Sequence, residues 1–69
     1  MTLAIDRLDG GVLRLTLDRP QAANALSRAM QDALVATLAE AAGDPATRAV
    51  LLTGAGGRVF SAGADLRED

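Results

Sequence analysis

The sequence predicts an α/β unit built in the order β-β-α-β. Three observations predict it. An alternating apolar run follows a Gly-Gly turn, a stripe of apolar residues repeats at helical spacing, and a continuous apolar run lies just past a Gly and Pro stop. The first strand is Leu3-Ala4-Ile5-Asp6-Arg7, and Asp9-Gly10-Gly11 supplies turn residues suited to positive φ. Val12 to Asp18 is the second strand. Leu13, Leu15 and Leu17 alternate there with Arg14, Thr16 and Asp18, the period of a strand with one buried face. The two runs form a β-hairpin. Arg19-Pro20 ends it, because Pro20 has no N–H to continue a ladder.

Gln21 to Leu26 reads as a connection, and Ser27 as the N-cap of a long helix. Met30, Ala33, Leu34, Thr37, Leu38 and Ala41 form its apolar stripe, with Gln31, Asp32 and Glu40 off it. Gly43 caps the helix and Pro45 prevents its return. Ala49-Val50-Leu51-Leu52-Thr53 is apolar without alternation, as expected of a central, parallel strand covered on both faces.

Composition narrows the function classes. Sixty-nine residues make one domain at most, and 49% of them are hydrophobic, mostly Ala, Leu and Val. A chain this short buries only about 60% of its unfolded surface. There is no Cys and no His, which removes disulfides and the usual zinc sites as staples. The segment is therefore expected to belong to a larger domain or to sit in an oligomer. The lack of Cys fits a reducing cytoplasm. A net charge of −2, with seven scattered arginines as the only basic residues, gives no reason to bind nucleic acid. No apolar run approaches the ~20 residues that span a bilayer. The N-terminus lacks the basic start and long apolar core of a signal peptide.

Two loop motifs can carry chemistry. Gly54-Ala55-Gly56-Gly57 follows a strand, but no Gly-Lys-Ser/Thr follows it, which excludes a Walker A loop. A dinucleotide fingerprint needs Gly or Ala where Val59 stands, so a plain turn is the better reading and a dinucleotide-binding βαβ fragment an alternative. Ser61-Ala62-Gly63-Ala64-Asp65 admits two readings. It is either an ordinary Gly turn with an Asp N-cap, or a place where small side chains let a ligand lie against the main chain. In the second, the Ala64 N–H is one donor of an oxyanion hole, and Asp65 caps a short helix whose positive end favours developing charge. Ser61 has no His to activate it and reads as structural. Asp65, Glu68 and Asp69 read as solvated acids, so no metal is expected. Arg7, Arg14 and Arg28 should be exposed, and Arg19, at a strand end, is the better phosphate-contact candidate.

These pieces occur together in one family. Leu17-Asp18-Arg19-Pro20-Gln21-Ala22-Ala23-Asn24-Ala25-Leu26-Ser27 resembles the early signature of the enoyl-CoA hydratase/isomerase (crotonase) family. Ala49 to Gly54, continuing through Phe60-Ser61-Ala62-Gly63-Ala64-Asp65-Leu66, resembles its first oxyanion-hole motif. The helix and the Asp44-Pro45 turn between them fit in register, so the likeness covers nearly the whole chain. The resemblance implies that residues 1–69 are the incomplete N-terminal part of a crotonase-like domain of ββα repeats. It implies a lyase or isomerase of fatty acid metabolism that takes an acyl-CoA thioester as substrate and no separate cofactor. Such enzymes hold a thioester enolate with two backbone N–H groups. The first would be Ala64; the second, and the acid/base carboxylates, would lie elsewhere, so the isolated chain should be inactive. Ala62 would sit near the adenine of CoA, and Ala64, Asp65, Leu66 and Arg67 would line the thioester and pantetheine. Arg19 to Ala23, including Ala22, would border the CoA entrance, with Gly63 allowing close approach. Gln21 stands where a basic residue is common, and Arg67 where Lys is common. The resemblance also implies a homo-oligomer, a trimer or a pair of trimers. A non-catalytic interaction fragment is the alternative from another class.

Overall fold

Strands β1 (Leu3–Leu8) and β2 (Val12–Leu17) pair antiparallel, with Leu3 opposite Leu17 and Leu8 opposite Val12. The computed structural model describes residues 3–57 and 60–63. Gly10 and Gly11 take φ of 82° and 80° in the hairpin turn, the left-handed region open to Gly at no steric cost. After a single 3₁₀ turn, Pro20–Ala22, helix α1 (Arg28–Ala42) crosses back over the sheet. It delivers β3 (Ala49–Gly54) parallel to β2, giving the order β1-β2-β3. The predicted β-β-α-β unit is thus the observed one.

Each boundary has a local cause. The Ser27 hydroxyl accepts from the Met30 N–H at 3.2 Å, satisfying one of the orphan donors at the start of α1. Gly43 is the C-cap, but in right-handed conformation (φ −92°), so the helix ends without using the freedom of glycine. Asp44 organises the next turn. Its carboxylate accepts from the Ala46 N–H at 2.9 Å and the Thr47 hydroxyl at 3.2 Å, and pairs with Arg7 of β1 at 3.0 Å. The Arg48 N–H then donates to the Gly11 carbonyl at 2.7 Å, which ties the start of β3 to the hairpin turn. A side chain at Gly11 would press on the Ala46 carbonyl, so this junction too requires Gly.

The core lies between β2 and α1. Leu13, Leu15 and Leu17 are buried, as their alternation predicts, together with Leu3, Met30 and Ala41; Ala33 and Leu34 pack at its edge. Two expectations need correction. Leu38, placed on the apolar stripe, is 41% exposed, because among the described residues the sheet beneath α1 ends at β3. β3 is not covered on both faces: Val50, Leu51 and Leu52 are 39%, 48% and 39% exposed. β3 pairs with β2 on one side, and among the described residues nothing pairs with its other edge. The unbroken apolar pattern marked surface that this chain leaves open.

Candidate functional site

The chain end of β2, the connection to α1 and the loop after β3 meet at one corner of the sheet. Leu17 ends β2 and Gly54 ends β3, side by side in the parallel register. The Ala55 N–H donates to the Leu17 carbonyl at 2.9 Å, carrying the ladder one step past the strand. The Gly54-Ala55-Gly56-Gly57 segment is a turn, with φ of 94° at Gly56 and 71° at Gly57. It leads to the irregular segment Phe60 to Gly63, not to a helix. A dinucleotide loop opens directly into a helix whose N-terminus holds the pyrophosphate, so that alternative loses its geometry.

Asn24 is the hub of the corner. It is 1% exposed and takes a left-handed conformation, φ 55°. Its backbone N–H donates to the Arg19 carbonyl at 2.8 Å, and its Oδ1 accepts from the Arg19 N–H at 2.8 Å. Its Nδ2 donates to the Ala55 carbonyl at 2.9 Å. These partners fix the amide orientation, because reversal would set oxygen against oxygen. The Asn24 carbonyl accepts from the Ser61 hydroxyl at 2.8 Å, and the same Ser61 oxygen accepts from the Gly63 N–H at 3.0 Å. Sequence reasoning passed over Asn24 as part of a connection. The available signal was an Asn, one of the few residues that adopts the left-handed region, between small apolar residues in a tight link.

Two backbone bonds lace the loops together. The Ala62 N–H donates to the Ala23 carbonyl at 2.9 Å, and the Leu26 N–H to the Gly63 carbonyl at 2.7 Å. Gly63 has φ 88°, and Ala23 φ 53°. A side chain at Gly54 would collide with the Phe60 carbonyl and press on Asn24 Nδ2 at 2.9 Å, so only Gly lets the loop lie this close.

Of the site residues singled out from sequence, the structure brings together Ala22, Ala23, Ala62 and Gly63. Ala22 and Ala23 are half-buried and Ala62 is exposed. The Ser61 hydroxyl is engaged with the Asn24 carbonyl and the Gly63 N–H. The expectations for Ala64, Asp65, Leu66 and Arg67, and those for Glu68 and Asp69, lie outside the described residues. Arg19, the phosphate-contact candidate, is half-buried, and its guanidinium donates to the Ala25 carbonyl at 2.8 Å. Arg7 is exposed and Arg14, expected to be exposed, is half-buried; each pairs with an aspartate, Asp44 and Asp6 respectively. Among the described residues no cluster of acids, His or Cys could hold a metal, and no helix is long and apolar enough to cross a membrane.

The comparisons with known proteins agree with this geometry. The profile of the enoyl-CoA hydratase/isomerase family matches residues 7–69. The chain belongs to that family. It is 49% identical over 57 residues to the 2,3-dehydroadipyl-CoA hydratase of Escherichia coli, covering 83% of this chain and 22% of the relative. It is 38% identical over 68 residues to the 1,2-epoxyphenylacetyl-CoA isomerase of the same organism, covering 99% of this chain and 26% of the relative. Among solved structures, the enoyl-CoA hydratase of Bacillus anthracis superposes with a TM-score of 0.92 at 38% identity, covering 99% of this chain and 26% of that one. The enoyl-CoA hydratase of Mycobacterium tuberculosis gives 0.87 at 48% identity, covering 97% and 28%. The three-stranded sheet and helix are thus part of a crotonase fold, and the chain spans about a fifth to a quarter of the curated relatives it matches.

Proposed function

We propose that the complete protein is an acyl-CoA hydratase or isomerase that steadies a thioester enolate, with the Ala64 N–H as one oxyanion donor. The observation that carries the proposal is the pinning of the Gly63 carbonyl on the Leu26 N–H at 2.7 Å. A planar trans peptide points its N–H opposite to its C=O. With the Gly63 carbonyl held on the 23–26 segment, the thioester oxygen is proposed to lie on the opposite side of that peptide. The N–H groups of Ala62 and Gly63 are already engaged, and the likeness of the 60–66 segment to the family's oxyanion motif gives the role to Ala64. The relatives' names, all of CoA thioester hydratases or isomerases, support the substrate class.

In hydration, water attacks the β-carbon of the enoyl thioester and the electron pair moves to the thioester oxygen. A proton delivered to the α-carbon then restores the carbonyl. Preorganised N–H donors act on the charged intermediate step, and each is worth roughly 3–4 kcal/mol in comparable sites. Ala62 and Gly63, with Ala22 and Ala23 across the seam, form the wall for CoA, and Asp65, Leu66 and Arg67 extend it. No cofactor beyond the thioester is assigned. The acid/base carboxylates belong to other parts of the domain, so residues 1–69 alone carry no hydratase activity. The same reading makes the complete protein a cytoplasmic homo-oligomer, a trimer or a pair of trimers.

The exposed β3 favours one other reading, a non-catalytic interaction piece whose open sheet edge pairs with a partner. Calorimetric titration of the full-length protein with an acyl-CoA, followed by an enoyl-CoA hydration assay, separates them. Binding with turnover is expected. Absence of both would replace the enzyme reading with the interaction reading.

A further inference from the structure

Residues 60–63 have no regular secondary structure, yet they are held at both backbone and side-chain level by the 23–26 segment. We infer that Asn24 and Ser61 are positioning residues for catalysis, a relay that sets the Gly63 peptide relative to the ends of β2 and β3. The inference rests on the proposed oxyanion function and adds to it the residues that aim the donor.

The relay has three links. Asn24 is fixed first, because its side chain bridges two places that are rigid already. Oδ1 takes the Arg19 N–H just after β2, and Nδ2 holds the Ala55 carbonyl just after β3. Full burial of the amide makes each of these bonds costly to lose. The left-handed backbone at Asn24 then turns its carbonyl toward Ser61. Finally, the Ser61 hydroxyl donates to that carbonyl and accepts from the Gly63 N–H, using its donor and an acceptor site at once. A hydroxyl is required at this point. An apolar side chain of the same size would leave both the Asn24 carbonyl and the Gly63 N–H without this partner. Neither residue needs to touch substrate. Their role is to hold the peptide at Gly63 within the fraction of an ångström that an oxyanion donor demands, since a misplacement of about 1 Å can cost about 100-fold in rate.

The test uses Ser61→Ala and Ser61→Thr in the full-length protein, with two readouts. The first is the separate measurement of kcat and KM for an enoyl-CoA. The second is amide hydrogen exchange at Gly63, which needs no substrate. For Ser61→Ala we expect kcat to fall roughly 10- to 100-fold with KM changed much less, and Gly63 exchange to rise at least about 10-fold. Ser61→Thr, which keeps the hydroxyl, should recover most of both. A purely structural role would instead lower the melting temperature and leave kcat per folded molecule unchanged. That result, or unchanged Gly63 exchange in Ser61→Ala, overturns the relay. If the unsubstituted protein turns over no enoyl-CoA, the proposed function fails, and exchange at Gly63 still decides whether the relay exists.

Discussion

A single amide group, that of Asn24, joins the ends of β2 and β3, and its backbone adopts a conformation most side chains avoid. The two contributions can be separated by substitution. Asn24→Gly keeps the left-handed backbone and loses the side-chain bonds, whereas Asn24→Ala loses the bonds and adds strain. Both should destabilise the full-length protein, by about 1–3 kcal/mol for the buried groups left unpaired, with Ala the worse of the two. Equal unfolding midpoints for the two variants would show that the left-handed backbone carries no cost. Gly54 gives a second test at this scale. Gly54→Ala drives a methyl into the Phe60 carbonyl and should cost about 1–3 kcal/mol, as overpacking does. Wild-type stability in denaturant titration would mean the loop lies farther from β3. Asp44 gives a third. The Ala46 N–H, with Thr47 and Arg7 beside it, lowers its pKa from the ordinary carboxylate value. Its contribution to stability is therefore present above the pKa of the unfolded chain and is lost as pH falls through the folded one. Asp44→Asn should lower the melting temperature at neutral pH, and the difference should shrink in acid. A difference that persists unchanged in acid would contradict the assignment.

At the scale of elements, what was legible in the sequence is what is local. The alternation of Leu13, Leu15 and Leu17, the Gly10-Gly11 turn and the Ser27 cap each depend on neighbours within a few residues, and each appears as expected. The parallel arrival of β3 was legible because a strand, a crossover helix and an apolar run leave few topologies. The exposure of β3 was not, because an apolar pattern states what a strand needs and not whether this stretch of chain supplies it. Half of the candidate site shared this difficulty. The small residues of Ala62-Gly63 could be seen, but the bonds that lace them to Ala23 and Leu26 join positions nearly forty residues apart. Arg19 shows the same limit: its place at a strand end was visible, and its bond to Ala25 was not. The hairpin core also makes a quantitative expectation. Leu15 is fully buried between the sheet and α1, and Leu15→Ala should cost about 2–5 kcal/mol in the full-length protein. A loss well under 1 kcal/mol would place the core elsewhere.

On the scale of the whole molecule, the family match over residues 7–69 and the superposition on solved hydratases make this unit one part of a crotonase fold. Its proposed contribution to function is a main-chain donor on a loop tied to two strand ends by Asn24 and Ser61. The most direct test replaces the Ala64 N–H by an ester oxygen in full-length protein made by ligation, leaving every side chain unchanged. With one oxyanion donor removed, kcat for enoyl-CoA hydration should fall roughly 100- to 1,000-fold while acyl-CoA still binds. An ester variant that turns over as fast as the native amide would contradict that role for the loop.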